Sequence, residues 1–129
     1  MLNVKKTLTK ILSVIASMSV EDVSDKITLT SAWTTQFKRA YRFGDMVFFS
    51  FEGYAGTVTA GTQYTIATIS SDLKPKANLS FTGHTTNSSY LPNGIVNAYV
   101  LADKIITVRL SNANGNYVFV DGWFQVDVQ

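Results

Sequence analysis

The sequence predicts an all-β protein, an antiparallel β-sandwich of jelly-roll-like kind, carried on a short N-terminal α-helix. Three observations support this. Val4, Leu8, Ile11, Ile15 and Met18 recur at steps of four, three, four and three, the spacing of a helical heptad seam. From Ile27 onward the period becomes two, with Thr, Val, Ile, Tyr and Phe dominating. Turn-forming residues then punctuate the chain at short intervals, as a fold of many short strands requires.

In chain order, residues 1–22 read as the helical lead-in and 23–129 as a single β-sandwich head. Leu12 and Val14 flank the seam and widen it, which suits three helices around one axis better than two. So short a helix is marginal alone in water and needs packing, either on copies of itself or on its own sheet. The expected strands are Ile27–Thr35, Phe37–Phe43, Asp45–Glu52, Gln63–Ile69, Ala77–Gly83, Ile95–Leu101, Lys104–Leu110 and Tyr117–Val128. Val47, Phe49 and Phe51 alternate inward, as do Ile106, Val108 and Leu110, with Thr107 and Arg109 outward. Phe48 falls on the polar side, so that face is also expected to be covered, by another sheet or another subunit. Pro92-Asn93-Gly94 and Asn114-Gly115 offer positive-φ positions for hairpins, and Ala102-Asp103-Lys104 is a short connection. Gly83 to Pro92 is the longest expected loop.

Charge excludes several function classes. The 129 residues hold 11 Lys plus Arg and 9 Asp plus Glu, but Lys5, Lys6 and Lys10 belong to the lead-in. The remainder is close to neutral and carries no footprint for a nucleic-acid backbone. Lys38, Arg39 and Arg42 lie among Phe37, Tyr41 and Phe43, but alternation puts Arg39 with the aromatics and the other two opposite. That pattern reads as an edge strand blunted by charge. Ile11 to Val20 is about half the length that spans a bilayer. The lysines and the short apolar run also make a crude match to a secretory leader, a rival reading of the same segment.

Catalytic signatures are missing. No cysteine is present, His84 is the one histidine, and no carboxylate pair beside it completes a metal site. Gly53, Gly56 and Gly61 lack the Lys and helix start of a phosphate loop, and no nucleophile elbow occurs. Asp45 and Glu52 suit turn and strand-edge roles better than paired glycosidase acids. The expectation is a binding protein with no catalytic residue, metal or cofactor.

Ligand candidates are Tyr90, Tyr54, His84, Asn87, Asp103 and Trp123. Sugar recognition needs flat apolar faces for ring C–H groups and planar polar groups for hydroxyls. Each also has a plain structural role: Trp33 and Trp123 as core, His84 as a loop residue bonded to backbone, Asn87 and Ser88 as turn formers. Tyr90, next to the Pro-Asn-Gly sequence, is the candidate best placed for exposure.

Four stretches carry a resemblance. They are the lead-in Asn3–Leu12, Phe43-Gly44-Asp45-Met46-Val47 opening an aromatic strand, Ile66–Pro75 ending Asp-Leu-Lys-Pro, and the hairpin Ile95–Arg109. Together they make the chain resemble the C-terminal head domains of tailed-phage receptor-binding, tail-fibre and baseplate proteins, including those of prophages. The resemblance implies a homotrimer with helices gathered at one end and sandwich heads around the axis. It also implies recognition of host cell-surface saccharide, a place at the virion's tail tip or in the bacterial cytoplasm before assembly, and contacts with other phage tail proteins. The alternative is a structural or adaptor component with protein partners and no sugar. The lead-in is shorter than the usual anchoring region, so a separate small component, a prophage remnant or an excised piece are all open.

Overall fold

A computed structural model describes residues 3–17, 19–30, 34–54, 58–111 and 117–128. Helix α1 spans Val4–Ser17, and nine strands follow: β1 (Val20–Asp22), β2 (Ile27–Leu29), β3 (Thr34–Phe43), β4 (Met46–Tyr54), β5 (Gln63–Ile69), β6 (Leu79–Thr86), β7 (Pro92–Leu101), β8 (Ile105–Leu110) and β9 (Tyr117–Gln125). The all-β architecture is thus present. The strands form one antiparallel sheet in the order β1-β3-β4-β9-β6-β7-β8-β5-β2.

The two ends of that order are consecutive in the chain, and this curls the sheet. β1 pairs with β3 (Val20 opposite Phe43) and β2 pairs with β5 (Ile27 opposite Ile69), so 20–29 forms a strap between two otherwise open edges. The strap is bonded to both sides. The Val23 amide donates to the Ala40 carbonyl at 2.9 Å, and the Lys38 ammonium donates to the Ile27 carbonyl at 2.6 Å. Ser24 Oγ accepts from the Ala40 amide at 2.9 Å. Val23 and Ile27 are fully buried, and Lys26 pairs with Asp72, whose carboxylate also accepts from Ser70. Below the strap, Leu73 is buried in a short 3₁₀ turn (Ser71–Leu73), held by a Pro75–Val126 bridge.

Inside, β4 contributes Val47, Phe49 and Phe51, β7 contributes Val96, Ala98 and Val100, and β8 contributes Ile106, Val108 and Leu110, all buried. Phe49 stacks on Phe51 with ring centroids 5.1 Å apart and meets Phe81 edge-on at 5.8 Å. Two glycines allow this packing. A Cβ on Gly122 would lie 2.5 Å from the Phe49 ring, and one on Gly83 would lie 2.1 Å from the Phe119 carbonyl oxygen. The second contact is with backbone and cannot relax by a rotamer change.

Helix α1 starts at Asn3, whose side chain accepts from the Lys6 amide at 3.1 Å as an N-cap. Val4, Leu8, Ile11, Leu12 and Val14 are each half or more exposed, so this stretch does not lie against its own sheet. Ile15 and Met18 complete the seam in sequence, but their side chains lie outside the described residues.

Local expectations need correction in four places. Strand 27–35 is interrupted: β2 ends at Leu29, Thr34 and Thr35 open β3, and 31–33 lie outside the described residues. The lead-in's last three residues, Val20–Asp22, join the sheet as β1, because Asp22 and Val20 find partners on an edge strand. Pro92-Asn93-Gly94 is not a turn but the start of β7; the turn is made upstream by Asn87. Thr107 faces outward yet is buried, its hydroxyl accepting from Gln63, which Arg109 in turn holds. Asn114-Gly115 lies outside the described residues.

The strap's ion pair predicts a pH signature. Lys26 first, then Ser70, lower the Asp72 carboxyl to about 2. A group lowered from its unfolded value of about 3.9 stabilises the fold above that value and loses its effect as pH falls through its folded value. Urea denaturation should therefore show wild type more stable than Asp72→Asn at neutral pH, with the gap closing between about pH 4 and pH 2. A gap that ignores pH would contradict the pairing. Separately, Gly83→Ala should cost about 1–3 kcal/mol of stability by the same measurement.

Candidate functional site

The outward face of β3, β4, β9 and β6 carries aromatic side chains in register. Tyr54 lies opposite Tyr117, and Tyr117 opposite Thr86. One step along that face, Glu52 lies opposite Phe119, and Phe119 opposite His84. These two rows occupy the distal end, the end of the sandwich remote from α1, because α1 enters through β1 at the opposite end of β3.

Tyr117 is the hub. Tyr90 stacks on it with centroids 5.1 Å apart and planes 18° from parallel, and Tyr54 meets it edge-on at 6.0 Å. Tyr90 is 59% exposed and Tyr54 is 42% exposed, so the cluster presents ring faces to solvent while keeping its own packing. Beside it, His84 stacks on Phe119 at 5.0 Å and 11°. Each ring is thereby fixed in orientation before any ligand arrives.

The loop that presents Tyr90 is built by Asn87. Its side-chain oxygen accepts from the Ser89 amide at 2.9 Å and the Leu91 amide at 3.0 Å, while its backbone amide donates to the Leu91 carbonyl at 3.0 Å. Within this closed loop Tyr90 adopts φ +60°, a left-handed conformation that a bulky residue rarely takes. Such strain costs about 1–3 kcal/mol and persists only where surrounding bonds enforce it. Here the Asn87 bonds and the stack on Tyr117 do so. Just before the loop, at the end of β6, Thr86 is 3% exposed and its hydroxyl has no hydrogen-bond partner among the described residues.

Its surroundings make the Tyr90 hydroxyl harder to ionise. The neighbouring Tyr117 raises its hydroxyl above the usual tyrosine range, burial adds to that, and the Glu52 charge contributes further. The site thus offers the Tyr90 phenol as a hydrogen-bond donor and acceptor at neutral pH, with the Glu52 side chain in the adjacent row.

Of the residues singled out in the sequence, Tyr54, Tyr90 and His84 come together. Asn87 shapes the loop, with its side-chain oxygen already engaged. Trp123 lies on the same face in the α1-proximal half, opposite Phe48, and meets Phe81 edge-on at 6.2 Å. Asp103 lies in the turn after β7, separated from Tyr90 by the ten-residue length of that strand, about 30 Å. His84 is on strand β6 rather than in a loop. Tyr117 and Phe119 were not singled out, and Glu52 was weighed only as a glycosidase acid and set aside. Strand alternation alone puts them outward, but only the pairing of β9 with both β4 and β6 brings them to Tyr54 and His84.

Among the described residues, no group of three His, Cys, Asp or Glu side chains is placed to hold a metal ion, and no helix is long and apolar enough to cross a membrane. The chain matches no protein-family model, and no curated protein matches it in sequence.

The Tyr90–Tyr117 coupling is directly measurable. Tyr117→Phe keeps the stacked ring but removes the second ionisable hydroxyl, so the spectroscopic titration of Tyr90 should move down toward the ordinary tyrosine range. An unmoved titration would show that the two hydroxyls are not neighbours.

Proposed function

We propose that this chain is a non-catalytic, phage-type receptor-binding head that recognises host surface saccharide as a homotrimer. The observation that carries the reading is the exposed tyrosine cluster at the distal end, with Tyr90 held in a strained conformation on Tyr117. Stacked phenol faces suit the C–H side of a pyranose ring, and Glu52, His84 and the tyrosine hydroxyls suit its hydroxyl groups. The exposed seam of α1 supports self-association, and three copies would raise a weak single-site affinity by avidity.

An adaptor role is favoured by a different observation, the exposed Phe48 and Trp123 on the proximal half of the same face. In that reading the aromatic surface meets protein and no sugar binds.

A glycan array over bacterial surface polysaccharides separates the two. The saccharide reading predicts reproducible hits that Tyr90→Ala and Tyr117→Ala each weaken at least about tenfold, equivalent to about 1.4 kcal/mol. Asp103→Ala, far from the cluster, should leave them unchanged. Silence across the array would favour the adaptor.

A further inference from the structure

We infer that the proximal half of the aromatic face, built on β3, β4 and β9, is the surface through which one head packs on the next copy of this chain. This rests on the homotrimer reading and names the contact that such an assembly would use.

The face is apolar where a solvated sheet face would be polar. Tyr41, Phe48 and Trp123 form one row across the three strands, with Phe43 on the α1 side of it and Phe37 two rows beyond, opposite Glu52 where the patch meets the distal cluster. Phe48 is 50% exposed and Trp123 is 44% exposed, and Phe37 and Phe43 are similar. These four side chains alone leave on the order of 350 Å² of aromatic surface in water. A standard interface takes about 800 Å² from each partner, a little over half of it apolar. Divided between a head's two neighbours in a cyclic trimer, these rings supply roughly 175 Å² of apolar area to each contact, to which the gathered helices add. A groove of about 370 Å³, lined by Phe37, Arg39, Tyr41, Phe48, Ser50 and Asp121, gives it relief into which a neighbouring side chain can fit.

Two features point to a second copy as the occupant. The first is continuity. The exposed seam of α1 runs into β1, where Val20 lies opposite Phe43 on the same side of the sheet and is itself exposed. Helices gathered on their seam would bring these aromatic columns together along one axis. The second is charge. Across the face, Arg39 on β3, Ser50 on β4 and Asp121 on β9 lie in one row, which places the two charges about 10 Å apart. They make no ion pair with each other: the ion pair among the described residues is Lys26–Asp72. Arg39 instead lies over the Phe37 ring at 5.1 Å and donates to the Tyr41 hydroxyl. On the β1 side Asp22 accepts from Ser24 at 2.6 Å and lies close enough to Arg39 for that cation also to favour its charged form. In a cyclic assembly the β3 side of one head meets the β9 side of the next, so Arg39 of one copy would face Asp121 of its neighbour.

The test is light scattering on the full chain over a range of concentrations, with Phe48→Asp and a charge-exchange set. Phe48→Asp, an exposed position that leaves the core intact, should raise the concentration for half-dissociation at least tenfold. Arg39→Asp and Asp121→Arg should each weaken assembly, and the double exchange should recover it. Assembly of the wild type with no change in any variant would overturn this contact while leaving the homotrimer. A wild type that stays monomeric throughout would overturn both, and would leave the face to a partner of different sequence. Weakened single exchanges without recovery in the double variant would overturn the Arg39–Asp121 pairing.

Discussion

A sheet with two open edges cannot enclose a core, and closure of the seam between β3 and β5 is the constraint on which this molecule rests. Unpaired edge strands leave backbone donors and acceptors unmatched and leave interior side chains in water. The strap from Val20 to Leu29 meets both needs within ten residues. Its amides and carbonyls complete the ladders, and Val23 and Ile27 seal the gap from inside. Lys38 shows how tightly the edges are joined, because a β3 side chain reaches the carbonyl of the strap's far end. Burying Val23 and Ile27 contributes roughly 1.5–3 kcal/mol each, a sizeable part of the net stability of a domain this size.

Closure also decides what the outer surface can do. With the interior filled by Val, Ile and Phe, every second residue of β3, β4 and β9 faces away from the core, and many of those residues are aromatic rather than polar. The face then divides by position. At its distal end the tyrosines pack on one another and carry hydroxyls, with Glu52 and His84 beside them. Nearer α1 the rings are those of Tyr41, Phe43, Phe48 and Trp123, with one basic and one acidic group, Arg39 and Asp121, on opposite sides. The distal chemistry suits a small polar ligand with apolar ring faces, and the proximal chemistry suits a protein surface. About 20 Å of strand β4 separates Phe48 from Tyr54, enough for the two ends to act independently.

Much of this was legible in the alternation. The inward sets Val47, Phe49, Phe51 and Ile106, Val108, Leu110 are buried, Arg39 shares a face with Phe37 and Tyr41, and Phe48 points away from the core. What escaped had specific causes. β1 is three residues long, too short to display a period, and β2, expected to run on to Thr35, ends at Leu29 because its partner is the β5 edge that needs covering. Pro92-Asn93-Gly94 has turn composition, but the Asn87 side chain closes the turn earlier and gives the positive φ to Tyr90. Tyr117 and Phe119 looked like ordinary strand residues because their partners come from β4 and β6, distant in sequence on both sides.

Hydrogen exchange at the strap tests the central claim most directly. The amides of Val23, Thr30 and Ser70 donate across the seam at 2.9 Å each. If closure organises the molecule, these amides should exchange only through global unfolding, with the same free energy as the central β7–β8 ladder. Strap amides that exchange through a lower-energy opening while the β7–β8 ladder stays protected would show that the body holds its shape without the strap, and would contradict the account.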